Sequence, residues 1–365
     1  MPQSKPFRIG YGILLAFLII LVGTKIDFIF KPLVVLVQTL FFPFLVAGVL
    51  YYLFRPVVRF LEKKGVPRVI SILLIYLLFI GLAVLIVFLA GPPLQKQVTR
   101  LVENFDDLIA SLQTKLVQLQ HNPWVGQYFE QQNLEKITRD FTDYLSSSIM
   151  TIVTNIANFF SILTSIIVVF VTVPFILFYM LKEGEAAPKQ VLRLLPAAQR
   201  SEGRRILSDM DRAISSYIQG QVLVSICVGV LVYIGYLIIG LDYSLLLALV
   251  TMFTNLIPFV GPLIGTIPAV IVAFIDTPFM VVKVLLVTVF AQQLEGNVIS
   301  PQVMGRTLNI HPLTIILLLL VAGSLGGFLG LLLAVPTYAV LKVVVSHTYR
   351  LFLLRNRKSH QPDTE

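Results

Sequence analysis

Charge and cysteine are both scarce in this sequence, and each shortage excludes a class of protein. Charged residues make up 13% of the 365 positions, against roughly 25% in an ordinary soluble domain. A soluble protein of this length has too much surface to be covered by so few charges. The single cysteine, Cys227, cannot form an internal disulfide, which excludes the disulfide-stabilised secreted folds.

Hydrophobic residues take the place of the missing charges. They make up 57% of the chain, and the mean hydropathy is +0.88. A helix needs about 20 mostly apolar residues to cross the hydrocarbon core of a membrane. The uncharged runs lie at 9–24, 32–54, 69–95, 144–181, 213–241, 243–275, 284–294 and 307–341. They predict an all-α integral membrane protein with about eight membrane passages, surrounded by the lipid bilayer.

The net charge of +9 reports orientation in the membrane. Nineteen of the 28 basic residues lie before residue 9, in 55–68, in 182–212 and after 341. An alternating topology places these four regions on one side, and basic residues favour the cytoplasmic side. Both termini are therefore predicted to be cytoplasmic, and no nucleic-acid partner is needed to explain the charge.

One long hydrophilic segment, 92–143, falls on the opposite side. Apolar residues recur at helical spacing from Leu94 to Leu119, Asn122 and Pro123 end that pattern, and a second helix is predicted to begin near Asn133. We predict an extracytoplasmic amphipathic helical hairpin here, either a packing cap or an oligomerisation or gating element. The chain then divides into N-terminal transmembrane helices (1–91), this insert (92–143), a transmembrane helix (144–181), a cytoplasmic segment (182–212), a C-terminal transport core (213–345) and a basic cytoplasmic tail (346–365).

Two apolar runs in the C-terminal half contain an unusual density of glycine and proline. The run 243–275 would be about 50 Å long as one helix, too long for one crossing, and it divides into two arms around 258–262. The run 307–341 is interrupted in the same way at 323–327. Either both are kinked helices with small-residue packing faces, or both are broken helices or re-entrant hairpins. Paired interrupted segments are a sequence pointer to a transporter binding site.

Candidate site residues cluster at these breaks and in the polar stretch between the two runs. An ionisable residue at membrane depth is a functional candidate, so Glu295 and Asp211 are candidates for ion coupling. The alternative for Glu295 is a polar loop in which it pairs with Arg306. The segment from Asp211 to Gln221 is interpreted as a polar seam facing the bundle, or as part of a substrate path, through Ser215, Ser216, Gln219 and Gln221. The candidate solute-binding residues are Asn255, Pro258, Gly261, Pro262, Gly265, Thr266, Gln292, Gln293 and Asn297. The candidate hinge and exposed-backbone residues are Gly323, Gly326, Gly327, Gly330 and Pro336.

Four motifs resemble the AI-2E family of bacterial membrane proteins, also called the autoinducer-2 exporter or PerM-like family. They are Tyr217-Ile-Gln-Gly-Gln221, Asn255-Leu-Ile-Pro-Phe-Val-Gly-Pro-Leu-Ile-Gly-Thr-Ile-Pro268, Glu295-Gly-Asn-Val-Ile-Ser-Pro301 with Met304-Gly305, and His311-Pro312-Leu followed by 326–336. The resemblance covers nearly the whole chain. It implies a multi-pass transporter of the bacterial cell membrane that exports autoinducer-2 or exchanges sodium or lithium for protons. It also implies a homo-oligomer, a pentamer, with a scaffold part and a moving transport part.

The sequence favours a secondary exporter of a small polar solute, and a cation/proton antiporter centred on Glu295 is the alternative. A scaffold protein that transports nothing is a third reading. An enzyme is disfavoured, because the sequence contains neither an HExxH zinc motif nor a Walker phosphate loop. The missing Walker loop also disfavours an ATP-driven pump, and we expect no metal and no cofactor.

Overall fold

The computed structural model describes residues 10–12, 14–15, 17–18, 27–120, 159–304 and 310–358. Within these ranges the regular structure is helical and contains no strand, as the sequence predicted. The main helices are α1 (Asp27–Lys63), α2 (Arg68–Glu103), α3 (Phe105–Gln120), α4 (Phe159–Glu183), α5 (Ala187–Arg193), α6 (Arg200–Ile239), α7 (Ser244–Thr254), α8 (Val260–Asp276), α9 (Pro278–Leu294), α10 (Ser300–Met304) and α11 (Pro312–Lys358).

Five helical segments are long and apolar enough to cross a membrane. They are Thr39–Lys63, Arg68–Glu103, Arg200–Ile239, Pro278–Met304 and Pro312–Ser346, and two shorter apolar helices, α7 and α8, accompany them. The first predicted passage, 9–24, and the beginning of 144–181 fall largely outside the described residues. A multi-pass helical membrane protein is therefore confirmed, whereas the count of eight passages stays a prediction.

The helices α7 and α8 fold back on each other as one hairpin, which we call hairpin 1 (244–276). Asn255 ends α7, and the chain turns through Pro258 and through Phe259, whose φ is +62°. A side chain at Gly265 would come within 2.7 Å of the Thr251 Cα on the opposite arm. Glycine is required where two helix backbones approach so closely. Hairpin 1 thus corresponds to the two arms predicted around 258–262.

The last helix, α11, also folds back on itself, and we call its folded part hairpin 2 (312–341). Gly327 alone leaves the helical conformation, with φ 55° and ψ −138°. A side chain at Gly330 would overlap the carbonyl oxygen of Ala322, eight residues earlier. In a straight helix these two residues would be about 12 Å apart along the axis, so the chain reverses at Gly327. Of the two alternatives for both runs, the structure has the hairpins.

Two separate hydrophobic clusters divide the described helices into two groups. One cluster joins α1, α2 and α4 through residues such as Ala47, Ile72 and Leu177. The other joins α6, α7, α8 and α9 through residues such as Val228 and Val284. A third, smaller cluster joins the turn of hairpin 1 to both arms of hairpin 2 through Ile257, Leu319 and Ala334. The hairpins therefore pack with each other and with α6, whereas α1, α2 and α4 form their own core.

The helices α2 and α3 hold both open ends of hairpin 1. The Gln97 side-chain oxygen accepts a hydrogen bond of 3.0 Å from the Leu246 amide at the start of α7. The Lys115 ammonium group donates to the carbonyls of Ile275 and Asp276 at the end of α8. These contacts satisfy an amide at a helix start and carbonyls at a helix end, which have no partner within their own helices.

The region predicted as a hydrophilic hairpin differs in its first half. The predicted helix from Leu94 to Leu119 is two helices, because α2 continues through Pro92 and Pro93 to Glu103 and α3 begins at Phe105. Asn104 separates them, and asparagine commonly ends helices since its side chain competes for backbone hydrogen bonds. The second helix, predicted near Asn133, lies outside the described residues.

Candidate functional site

The turn of hairpin 1 brings a buried polar side chain into the apolar interior. Asn255 is 1% exposed, and its Oδ1 atom has no hydrogen-bond partner among the described residues. Its Nδ2 atom donates a long hydrogen bond of 3.5 Å to Glu295 Oε1. Its backbone carbonyl accepts a hydrogen bond of 2.7 Å from Gln221 Nε2 of α6. The turn is thus linked to two other helices through one residue.

Gln292 of α9 and Glu295, which directly follows α9, complete this group, which we call the tip cluster (Gln221, Asn255, Gln292 and Glu295). Gln292 and Glu295 are three residues apart, so they share one face of the helix, and they lie close enough to interact with each other. Asn255 Oδ1 and Glu295 Oε2 are buried and lack hydrogen-bond partners within the described part of the chain. Buried polar atoms in proteins are normally paired with protein or water. The tip cluster therefore has two acceptors, Asn255 Oδ1 and Glu295 Oε2, for a bound solute or water.

From Glu295 to Met304 the polar stretch is helical, and this part of it does not form the connecting loop that was the alternative. Residues Glu295–Ile299 form a π-helical turn that leads directly into α10, where Met304 packs against Gly220 of α6. Such turns are frequent at functional sites. The pairing of Glu295 with Arg306 lies outside the described residues.

Other predicted site residues lie elsewhere. Gln293 and Asn297 are exposed, and they bond each other through a hydrogen bond of 2.8 Å from Asn297 Nδ2 to Gln293 Oε1. Thr266 Oγ1 donates to the Pro262 carbonyl at 2.7 Å, so it satisfies a carbonyl of its own helix. The structure therefore brings Asn255, Gln292 and Glu295 together and leaves these residues outside the group.

The remaining predicted residues shape the hairpins. Pro258 lies in the turn of hairpin 1, and Gly261 lies so close to the Thr254 carbonyl that a side chain would overlap it. In hairpin 2, Gly323 lies against Leu331 on the opposite arm, and Pro336 lies on the returning arm, beside a cavity. Gln221, which the sequence placed in the polar seam, contacts Asn255 across 34 positions, so no local pattern predicts its place in the tip cluster.

Asp211 is placed apart from the tip cluster, in an ion pair with α1. Its Oδ1 atom lies 2.7 Å from Arg55 Nη1, and the Arg55 side chain is 11% exposed. The Ser215 hydroxyl lies 3.4 Å from the same guanidinium group, and Gln219 Nε2 donates to the Tyr52 carbonyl at 2.7 Å. A polar seam, as the sequence predicted for this segment, thus runs between α1 and α6.

Over almost its whole length, the sequence is similar to proteins assigned to transport. The profile described as AI-2E family transporter matches residues 14–350. YueF of Bacillus subtilis, assigned as a transport protein, is 48% identical over 98% of this chain and 97% of its own length. YrrI of the same organism, assigned likewise, is 34% identical over 95% of this chain and 98% of its own.

A third relative comes from a different organism. PerM of Escherichia coli K12, assigned as a permease, is 32% identical over 91% of this chain and 92% of its own length. The family profile covers almost all of the helices described above, including both hairpins and the tip cluster. This chain is a multi-pass membrane protein that belongs to the AI-2E family of bacterial transporters.

Proposed function

We propose that the protein is a secondary transporter that exports a small polar solute, with autoinducer-2 as the first compound to test. The observation that carries this proposal is the tip cluster, where the acceptor atoms Asn255 Oδ1 and Glu295 Oε2 are buried beside the turn of hairpin 1 without hydrogen-bond partners among the described residues. Broken helices near the middle of the membrane are the common sites of solute binding in transporters. A polar solute would supply the missing hydrogen bonds.

An elevator-like movement of the hairpins against α1, α2 and α4 is the mechanism we propose. It is supported by the two separate hydrophobic clusters, because each group of helices keeps its own core. The seam between α1 and α6 is polar around Arg55 and Asp211. Polar contacts of this kind can exchange partners at a smaller cost in free energy than the separation of a packed apolar core. A homo-oligomer of the α1, α2 and α4 scaffolds, with both termini cytoplasmic, completes the proposal.

Flux measurements with purified protein in liposomes test this function. Autoinducer-2 loaded into liposomes that contain the protein should leave faster than from protein-free liposomes loaded in the same way. The rate of efflux should saturate as the internal concentration of autoinducer-2 rises. A parallel measurement with an imposed sodium gradient and an internal pH dye tests the antiporter. A sodium-dependent pH change without solute flux would favour the antiporter over the exporter. Absence of both would contradict both proposed functions.

Breaking the Arg55–Asp211 pair should loosen the seam. We expect D211N to lower stability by about 1–3 kcal/mol, because the mostly buried guanidinium loses its anion. Thermal unfolding in detergent measures this. The matched control is E185Q, since Glu185 pairs with Arg59 at 2.9 Å but both side chains are 47% exposed.

Hydrogen bonds from Arg59 lower the pKa of Glu185. Its pairing should therefore contribute to stability at neutral pH and be lost as the pH falls through that lowered pKa. An exposed pair contributes less than about 1 kcal/mol, so E185Q should change the unfolding midpoint little. Equal shifts in D211N and E185Q would contradict the assignment of the seam.

A further inference from the structure

A cavity of about 490 Å³ lies between α1, α6, the turn of hairpin 1 and the returning arm of hairpin 2. Its volume is in the range of roughly 300–1,000 Å³ that is usual for small-molecule sites. The walls are mostly aliphatic and aromatic, and they include Phe44, Val49, Ile218, Leu256, Leu333 and Val340. Tyr217, Gln221 and Thr337 are the polar side chains among its lining residues.

The Tyr217 hydroxyl is the unexplained group of this cavity. The residue is 6% exposed, and its hydroxyl is buried with no hydrogen-bond partner in the described ranges. Gln221, which lies one turn further along α6 and also lines the cavity, already donates to the Asn255 carbonyl. A buried hydroxyl without a partner is costly, so a ligand that accepts its hydrogen bond would remove that cost.

We propose that this cavity binds the acyl chain of a membrane lipid, with an ester or carboxylate oxygen accepting a hydrogen bond from Tyr217. The apolar walls suit a hydrocarbon chain, and the bilayer around these helices supplies it. Tyr217 lies six residues beyond Asp211, about 9 Å along α6. A lipid whose charged headgroup lay near Arg55 and Asp211 would have its first ester oxygens at about the depth of Tyr217. The cavity shares Gln221 with the tip cluster, but Tyr217 is not a member of that cluster, and the proposal does not rest on the proposed export function.

The first test blocks the cavity. Gly48 lines it, and a Cβ atom added there meets no described atom within 4 Å, so G48F should extend its ring into the space. The probe is palmitic acid with a photoreactive diazirine on its chain, applied to the purified full-length protein. Wild-type protein should be labelled saturably on α1, α6 and α11, and we expect labelling of G48F to fall at least about fivefold.

The matched control is G81F. Gly81 lies on α2, a side chain there also meets no described atom within 4 Å, and it is not among the lining residues of the cavity. Its labelling should equal that of the wild type. Equal labelling of G48F and wild type, labelling confined to the outer surfaces of the helices, or no saturable labelling would each overturn the proposal. The last result would be expected if a second copy of the chain covered the cavity.

The second test removes only the hydroxyl. Unlabelled palmitic acid should compete about five- to tenfold less well for Y217F than for wild type, the usual loss for one hydrogen bond. Hexadecene, which has the chain and lacks the acceptor, should compete equally for both. The unfolding midpoint should not fall, because the hydroxyl has no protein partner to lose. Equal competition by palmitic acid would overturn the role of Tyr217, and this test remains decisive if G48F fails to fold.

Discussion

Replacing Gly330 by alanine should prevent hairpin 2 from closing and should produce the largest loss of stability among single substitutions in this region. The added methyl group would overlap the Ala322 carbonyl oxygen on the opposite arm. A backbone atom cannot rotate away as a side chain can, so the arms must separate. Overpacking of this kind typically costs about 1–3 kcal/mol, occasionally more. The thermal unfolding midpoint of the purified protein in detergent measures the effect.

Gly326 provides the control within the same hairpin. It lies four residues earlier, and a side chain there meets no described atom within 4 Å. Alanine also favours the helix over glycine by about 0.5–1 kcal/mol, so G326A should leave the midpoint unchanged or raise it slightly. If G326A and G330A lowered the midpoint equally, the arms would not meet at Gly330 as described.

Hairpin 1 uses the same device, which gives the two hairpins a common design. Gly261 lies against the Thr254 carbonyl as Gly330 lies against the Ala322 carbonyl. Four residues later, Gly265 in one hairpin and Ala334 in the other are both buried small residues. Gly261 and Gly330 meet one physical requirement, that two antiparallel arms of a hairpin approach closely just after the turn.

The sequence located the breaks but not their exact form. Proline and glycine density predicted interruptions at 258–262 and 323–327, because proline removes backbone donors and glycine allows close approach. It could not decide between Gly326 and Gly327 as the reversing residue. That choice depends on the contact of Gly330 with the opposite arm, which exists only once the chain has folded back.

The predicted site residues do not all lie together, for a related reason. The sequence left a helix or a loop open after Glu295, and in a loop neighbouring polar residues could all point to one place. The chain is helical from Pro278 to Met304, so each residue is rotated by about 100° from the last, and Gln292 and Gln293 face different sides. The contact between Gln221 and Asn255 spans 34 positions, and no local pattern predicts such a contact.

Substitutions in the tip cluster should abolish most transport without removing the protein from the membrane. We expect N255A and E295Q each to lower the initial rate of solute efflux about ten- to a hundredfold, the effect of losing one or two hydrogen bonds to a bound solute, stronger where one partner is charged. Efflux from liposomes, normalised to the amount of folded protein, measures this.

The neighbouring amide of Gln293 makes the comparison specific to position. Gln293 is exposed and bonded to Asn297, so Q293A removes an amide from a different face of the same helix. The substitution should change the rate of efflux less than about twofold, which is within the range expected for a lost surface hydrogen bond. A loss in Q293A as large as in N255A would move the site to the exposed face of α9. An E295Q variant that exports normally would remove the carboxylate from solute binding. Asn255 would then remain as the group that holds the solute, since its Oδ1 atom has no partner among the described residues and can accept a hydrogen bond from an uncharged polar solute.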